Sequence, residues 1–261
     1  MPHIRQPAVA GTFYPSARRL LQAMIQGFLE KAATTGAQPK AIIAPHAGYI
    51  YSGPIAASAY ARLLAGRSNI RRIVLLGPSH RVGFRGLAVS SAEWFATPLG
   101  DITIDRKAVE KILELPFVQT SDRAHAFEHS LEVHLPFLQE VLENFSLVPA
   151  VVGDANPEEV AEVLELLWDG DETALVISSD LSHYHDYATA RRKDEATSAA
   201  IEALRPQDIG VEHACGRLPV NGLLYAARRR GLKAQTVDLR NSGDTAGGKD
   251  SVVGYGAYVF E

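Results

Sequence analysis

Apolar residues along this chain fall into two alternating kinds of run. One kind is short and unbroken: Ala41-Ile42-Ile43-Ala44, then Ile73-Val74-Leu75-Leu76, then Ala174-Leu175-Val176-Ile177. Such runs read as strands covered on both faces, the pattern of a parallel sheet. The other kind is spaced three and four apart. Leu20, Leu21, Met24, Ile25, Phe28 and Leu29 mark one helical face, with Ser16 where an N-cap would stand. Residues 55–64 follow Pro54, which suits a first helical turn. Residues 106–115, capped by Asp105, and 126–142, 157–167, 190–204 and 220–230 are the remaining helical candidates. Further strands are expected at 86–89, 100–104, 147–152, 233–237 and 251–260, and residues 5–15 read as an ordered loop with an aromatic anchor. Strands and helices alternate, which predicts an α/β fold with a largely parallel sheet and right-handed crossovers. No linker or composition shift divides residues 1–261, so one domain is expected.

Composition narrows the function classes. The chain is 46% hydrophobic and 21% charged, ordinary for a protein with a sizeable core. A formal net charge of -4 offers no general attraction to nucleic acid or to an anionic membrane. No apolar window is long enough to span a bilayer, and the start, Met1-Pro2-His3-Ile4-Arg5, lacks the plan of a signal peptide. The single cysteine, Cys215, excludes an internal disulfide framework and a cysteine-rich zinc site. A cytoplasmic protein without nucleic-acid or membrane partners is expected; its oligomeric state is left open.

The strand ends carry the candidate chemistry. The first two apolar strands run into His46, directly after Pro45, and His80, after Pro78-Ser79; the third runs into Asp180 and His183. In a parallel sheet the strand C-termini share one edge, where ligands bind. A lone histidine there is more often a hydrogen-bonded structural residue, but two in successive strands favour a shared site. Neutral imidazole suits iron, zinc or copper. Asp180 and His183 together make an oriented acid–base pair, because a carboxylate fixes the imidazole tautomer. No Gly-x-Ser-x-Gly elbow supports a serine hydrolase.

The segment 127–136 adds Glu128, His129, Glu132 and His134. On a straight helix His134 falls about 240° from Glu128 at about 100° per residue, so these residues are not one ligand set. They also lack the His-Glu-x-x-His order, and an exposed polar helix start is the plain reading. The glycine-rich loop 241–250 lacks the order of a phosphate loop. Its plain reading is a flexible turn; its functional one is that Asp244 or Thr245 reaches the same site. Cys215 is a soft ligand or nucleophile in one reading and a small buried hydrophobe in the commoner one. Two histidines with one carboxylate is the set of non-haem Fe(II) oxygenases, and the third ligand stays open among Asp244, Asp180 and Glu128.

Several ordered segments together resemble the Memo family, also called AmmeMemoRadiSam system protein B. They are Pro7-Ala8-Val9-Ala10-Gly11-Thr12-Phe13-Tyr14-Pro15, Ala44-Pro45-His46-Ala47-Gly48-Tyr49, Leu76-Gly77-Pro78-Ser79-His80, Glu128-His129-Ser130-Leu131-Glu132-Val133-His134-Leu135-Pro136, Ser178-Ser179-Asp180-Leu181-Ser182-His183 and Cys215-Gly216-Arg217-Leu218-Pro219. The resemblance implies an α/β sandwich like that of the class III extradiol dioxygenases. It implies His46 and His80 as metal ligands, with Asp180 and His183 in the same pocket and His183 as acid/base. It places the third metal-facing position in the loop before the final strand. That loop holds no cysteine here, and Asp244 is the good ligand within it.

Three functions follow as expectations. The first is a redox enzyme holding Fe(II), with copper or zinc as alternatives, at His46, His80 and Asp244, and acting on a small substrate for which a phenol is one candidate. The second is a binding module gripping a peptide or anionic ligand in the same pocket. The third is a metal-dependent hydrolase.

Overall fold

The unbroken apolar runs form the heart of a large sheet in the computed structural model, which describes residues 3–261. Met1 and Pro2, the start of the stretch read above for a leader, lie outside the described residues. The first half of the chain runs β1 (Ile4–Arg5), α1 (Arg18–Leu29), β2 (Ala41–Ala44), α2 (Tyr49–Leu63), β3 (Arg72–Pro78), β4 (Leu87–Val89), β5 (Trp94–Thr97), β6 (Gly100–Thr103), α3 (Arg106–Leu113), β7 (Val118–Thr120), α4 (Asp122–Ala126) and α5 (Leu135–Val141). The second half runs β8 (Ser146–Val152), α6 (Pro157–Leu166), β9 (Thr173–Ser178), β10 (His183–His185), α7 (Tyr187–Glu202), α8 (Arg217–Arg230), β11 (Ala234–Asn241) and β12 (Val252–Phe260).

The large sheet has the order β10-β12-β2-β9-β3-β8-β4-β7, with β11 pairing the free side of β12. Its centre, β2-β9-β3-β8, is parallel, and β12 and β4 join it antiparallel. Every residue of β2 and β9 is buried, as both-face coverage by helices requires. Helices α1, α2 and α5 pack together, and α2 lies against β2, β11 and β12. A second group, α6 and α8, packs together with α8 against β3 and β9. A small sheet, β1-β5-β6, stands apart from the large one. The architecture is the expected mixed α/β fold with a central sheet flanked by helices. Among the described residues no helix is long and apolar enough to cross a membrane.

Four local expectations are corrected. Residues 126–142 are not one helix: α4 ends at Ala126, a 3-10 turn covers Glu132–His134, and α5 starts at Leu135. The Glu128 carboxylate takes the backbone N–H groups of His129 and Ser130 (3.0 and 2.9 Å), which competes with helical hydrogen bonding. Pro136, lacking an N–H, then fits only the first turn of a new helix. Pro54 lies inside α2, which begins at Tyr49, so it offers no N–H to the carbonyl of Ile50, an exposed residue. Ala17 rather than Ser16 is the N-cap of α1, without a side-chain hydrogen bond. The strand expected at 233–237 continues as β11 to Asn241 because β12 pairs it along that whole length.

Candidate metal centre

Strand order decides what meets at the sheet edge. Because β9 lies between β2 and β3, its last residue, Ser178, sits beside Ala44, and Ile177 sits beside Leu76. His46, Asp180 and His80 therefore leave neighbouring strands at one edge. His46 and His80 have ring centroids 5.1 Å apart.

The hydrogen bonds around each ring assign its tautomer. Ser178 Oγ donates its proton to the Ser130 carbonyl (2.6 Å), so it can only accept at His46 Nδ1, 2.6 Å away. His46 thus carries its proton on Nδ1 and turns a bare Nε2 lone pair toward Cys215 Sγ, 3.3 Å away. Burial, followed by the neighbouring His80 and His129, pushes the His46 pKa well below 6.5 and keeps the ring neutral. Its backbone N–H is held by Asp180 Oδ1 at 2.8 Å.

His80 is set by Glu128. The carboxylate accepts the His80 backbone N–H at Oε2 (2.6 Å) and the Nδ1–H at Oε1 (2.8 Å), again leaving Nε2 bare. Burial alone would raise the Glu128 pKa. The hydrogen bonds it accepts from the His80 ring and from the backbone N–H groups of His80 and Ser130 outweigh it and bring the carboxyl to about 2. A carboxylate on the remote nitrogen is the arrangement that orients metal-binding histidines.

One donor atom each from His46, His80 and Cys215 lie within 4.8 Å of one another. Two imidazole lone pairs and a sulfur suit iron, copper or zinc far better than magnesium or calcium. His80, Glu128 and His129 satisfy the same distance limit. Glu128 Oε1 already accepts from His80 Nδ1 and from two backbone N–H groups, so it orients rather than ligates. The Cys215 thiol is pushed up to about 12 by burial and then by Asp180, so an arriving ion has to displace its proton. The residues fit a transition metal.

A pocket of about 430 Å³ opens over these groups, with Phe13, His129, His183, Tyr184 and Arg81 on its walls. His129 stacks on His80 (centroids 4.8 Å, planes at 20°) and meets His46 edge-on at 5.6 Å. Its buried Nδ1 has no hydrogen-bond partner among the described residues. Asp180 is buried, and desolvation raises its pKa. Tyr184 has φ +61°, inside a bulged pairing of β10 with β12, and consecutive residues His183 and Tyr184 both face the pocket. Phe13 is brought there by the 5–15 segment, which Glu132 ties down. That carboxylate pairs with Arg5 and accepts from Ala8 N–H (2.7 Å), Val9 N–H (2.9 Å) and Tyr14 O–H (2.6 Å).

The structure brings His46, His80, Asp180 and His183 to one pocket but not Asp244. The Asp244 carboxylate accepts from the Asn241 backbone N–H (2.9 Å) and the Tyr187 hydroxyl (2.6 Å) and lines a different cavity, against α2 and β11. It is occupied as a cap of its own turn. In its place stands Cys215, which the sequence left among small buried residues. Gly216 makes this approach feasible: a Cβ there would lie 2.4 Å from the Ser178 carbonyl, and its N–H donates to Ser179 Oγ (3.0 Å). His129, read from the sequence as part of an exposed polar helix start, instead stacks in the pocket. The signal for Cys215 was the Cys-Gly pair at the start of a helix, which permits close approach to a strand end.

Known proteins were compared with the chain. A family model described as Memo-like protein matches residues 5–259. A MEMO1 family protein of Aquifex aeolicus is 38% identical over 271 residues, covering 98% of this chain and 99% of that protein. One from Aeropyrum pernix is 37% identical, covering 97% and 98%. The crystal structure of an uncharacterized Escherichia coli K12 protein matches with a TM-score of 0.53 over 84% of this chain and 98% of that one. At 17% identity that last likeness concerns the fold alone.

Proposed function

This chain belongs to the Memo-like family, and we propose that it is a metal-dependent oxidoreductase whose ion is held by His46, His80 and Cys215. One observation carries the reading: two histidines presenting bare Nε2 atoms, each fixed by a buried partner on Nδ1, converge with a thiol within 4.8 Å. Iron(II) is the ion we favour, with copper as the alternative that a sulfur ligand suits. Such an ion supplies Lewis acidity and one-electron chemistry when bound.

The protein's own groups divide the remaining work. Ser178 and Glu128 hold the two ligand rings in their tautomers. Asp180 fixes the His46 backbone. His183, on the pocket wall, exchanges protons with a substrate. Phe13 and Tyr184 offer aromatic surfaces to a small planar substrate of the phenol class, and Arg81 stands at the same walls. Asp244, tied into its own turn, has no part in this set.

Metal uptake tests the reading. Wild-type protein loaded with Fe(II) under anaerobic conditions should hold about one ion per chain, and so should Asp244→Ala. A His46→Ala, His80→Ala double variant should hold none, and Cys215→Ala should bind weakly. Equal content in wild type and double variant would sink the metal reading. Oxygen consumption with a panel of phenols then tests the redox part, and a loaded protein that consumes none removes it.

A further inference from the structure

Cys215 stands on the wall of a second cleft. The wide pocket is lined by His46, His80, His129, Asp180 and His183 but not by Cys215. Cys215 instead lines a cleft of about 240 Å³ between the 79–84 loop after β3, the end of β8 and the start of α8. The residue keeps some exposure, whereas its neighbour His46 is 2% exposed.

The cleft has a definite chemistry. Val82, Phe84, Val152 and Leu218 make its walls mainly apolar. Arg217 and Asp154 add one charge of each sign, so no net field selects an ion. At about 240 Å³ it is roughly one and a half times the 150 Å³ of an apolar cavity that holds one benzene-sized molecule.

We propose that this cleft is a second approach to the centre, along which a small uncharged molecule reaches the thiol side while a larger substrate occupies the wide pocket. The proposal rests on the metal-centre reading above. Two openings lined by different residues around one donor set let two reactants arrive without competing for the same space. The uncharged ligand is a small molecule up to about the size of benzene.

Because Cys215 is the only cysteine, thiol modification followed by intact mass reports this position alone. The probes are methyl methanethiosulfonate, small and neutral, and its anionic sulfonatoethyl analogue. Gly83, exposed at the rim of the cleft, would carry a Cβ that meets nothing within 4 Å, so Gly83→Trp adds an indole at the cleft mouth without displacing backbone. Gly83→Ala controls for loss of the glycine, and Tyr184→Ala widens the other pocket. Gly83→Trp should slow the neutral reagent by about tenfold or more, with Gly83→Ala and Tyr184→Ala within about twofold of wild type, since exchange depends on access. The neutral reagent should outpace the anionic one by more than it does on free cysteine.

Unchanged labelling in a folded Gly83→Trp, or acceleration by Tyr184→Ala, would overturn the second approach. Metal content is read on the same samples. Cleft-gated labelling in a wild type that takes up no metal would support the access route and remove the metal-centre reading.

Discussion

Replacing Glu128 by glutamine removes one charge and almost no volume, yet it should disturb both stability and metal affinity. The native carboxyl sits at about 2 instead of 4.5, which corresponds to about 3 kcal/mol in favour of the ionised form at 1.36 kcal/mol per pH unit. Oε1 collects three donors and Oε2 one, the His80 backbone N–H. A glutamine therefore keeps its oxygen at the Oε1 position and turns its NH2 group toward that last N–H. This leaves a buried donor unsatisfied, at a cost of about 1–3 kcal/mol. The two routes together place Glu128→Gln about 1–3 kcal/mol below wild type at pH 7.

The pH dependence has a definite sign. Because the folded pKa is depressed, the stabilisation is fully present above about 4.5 and is lost as pH falls toward about 2. The gap between wild type and variant should narrow by about 1.4 kcal/mol per pH unit below 4.5. Urea unfolding followed by tryptophan fluorescence measures it. Metal affinity, titrated in parallel, should fall roughly 10- to 100-fold, the usual effect of losing the partner of a ligand histidine. A variant as stable as wild type at pH 7, with unchanged affinity, would refute the assignment of Glu128 as the group that orients His80.

Arg5→Met should cost about 3–5 kcal/mol, because it strips the partner from the buried Glu132 carboxylate; a loss below about 1 kcal/mol in chemical denaturation would contradict this. Gly216→Ala, whose Cβ would stand 2.4 Å from the Ser178 carbonyl, should destabilise the fold by about 1–3 kcal/mol and weaken metal binding as Cys215 is pushed back. Calorimetry with metal titration checks both effects, and wild-type affinity would show that Cys215 is no ligand. His46, His125 and His134 are buried and held neutral, His125 at about 4, with desolvation as the first cause in each. Folded pKa values below 6.5 mean that stability is full above about 6.5 and falls with pH below it. A melting temperature that stays flat from about pH 6.5 to 4.5 would refute their neutral burial.

Much of the site was legible in the sequence because its signals are local. A buried parallel strand is an unbroken apolar run, and a proline just before His46 or His80 marks where the strand stops. With all such ends on one edge, His46, His80, Asp180 and His183 could share a site, and the placing of β9 between β2 and β3 brings them together. The acidic segment around Glu128 was not legible in the same way. Helical spacing predicts a regular face there, and only the structure shows Glu128 turning to its own His129 and Ser130 N–H groups and to His80, and Glu132 to Ala8 and Val9.

The third donor was decided by the fold alone. Cys215 and His46 are 169 residues apart, and nothing in the composition of either segment links them. Asp244 had the better ligand chemistry on paper, but its turn closes on Asn241 and Tyr187. Which loop reaches the edge depends on how α8 seats against β9, with Gly216 close to the Ser178 carbonyl. That is a matter of packing between distant elements, so periodicity and motif spacing do not encode it. Sequence placed two histidines and an aspartate on one edge; tertiary structure chose sulfur over carboxylate to stand beside them.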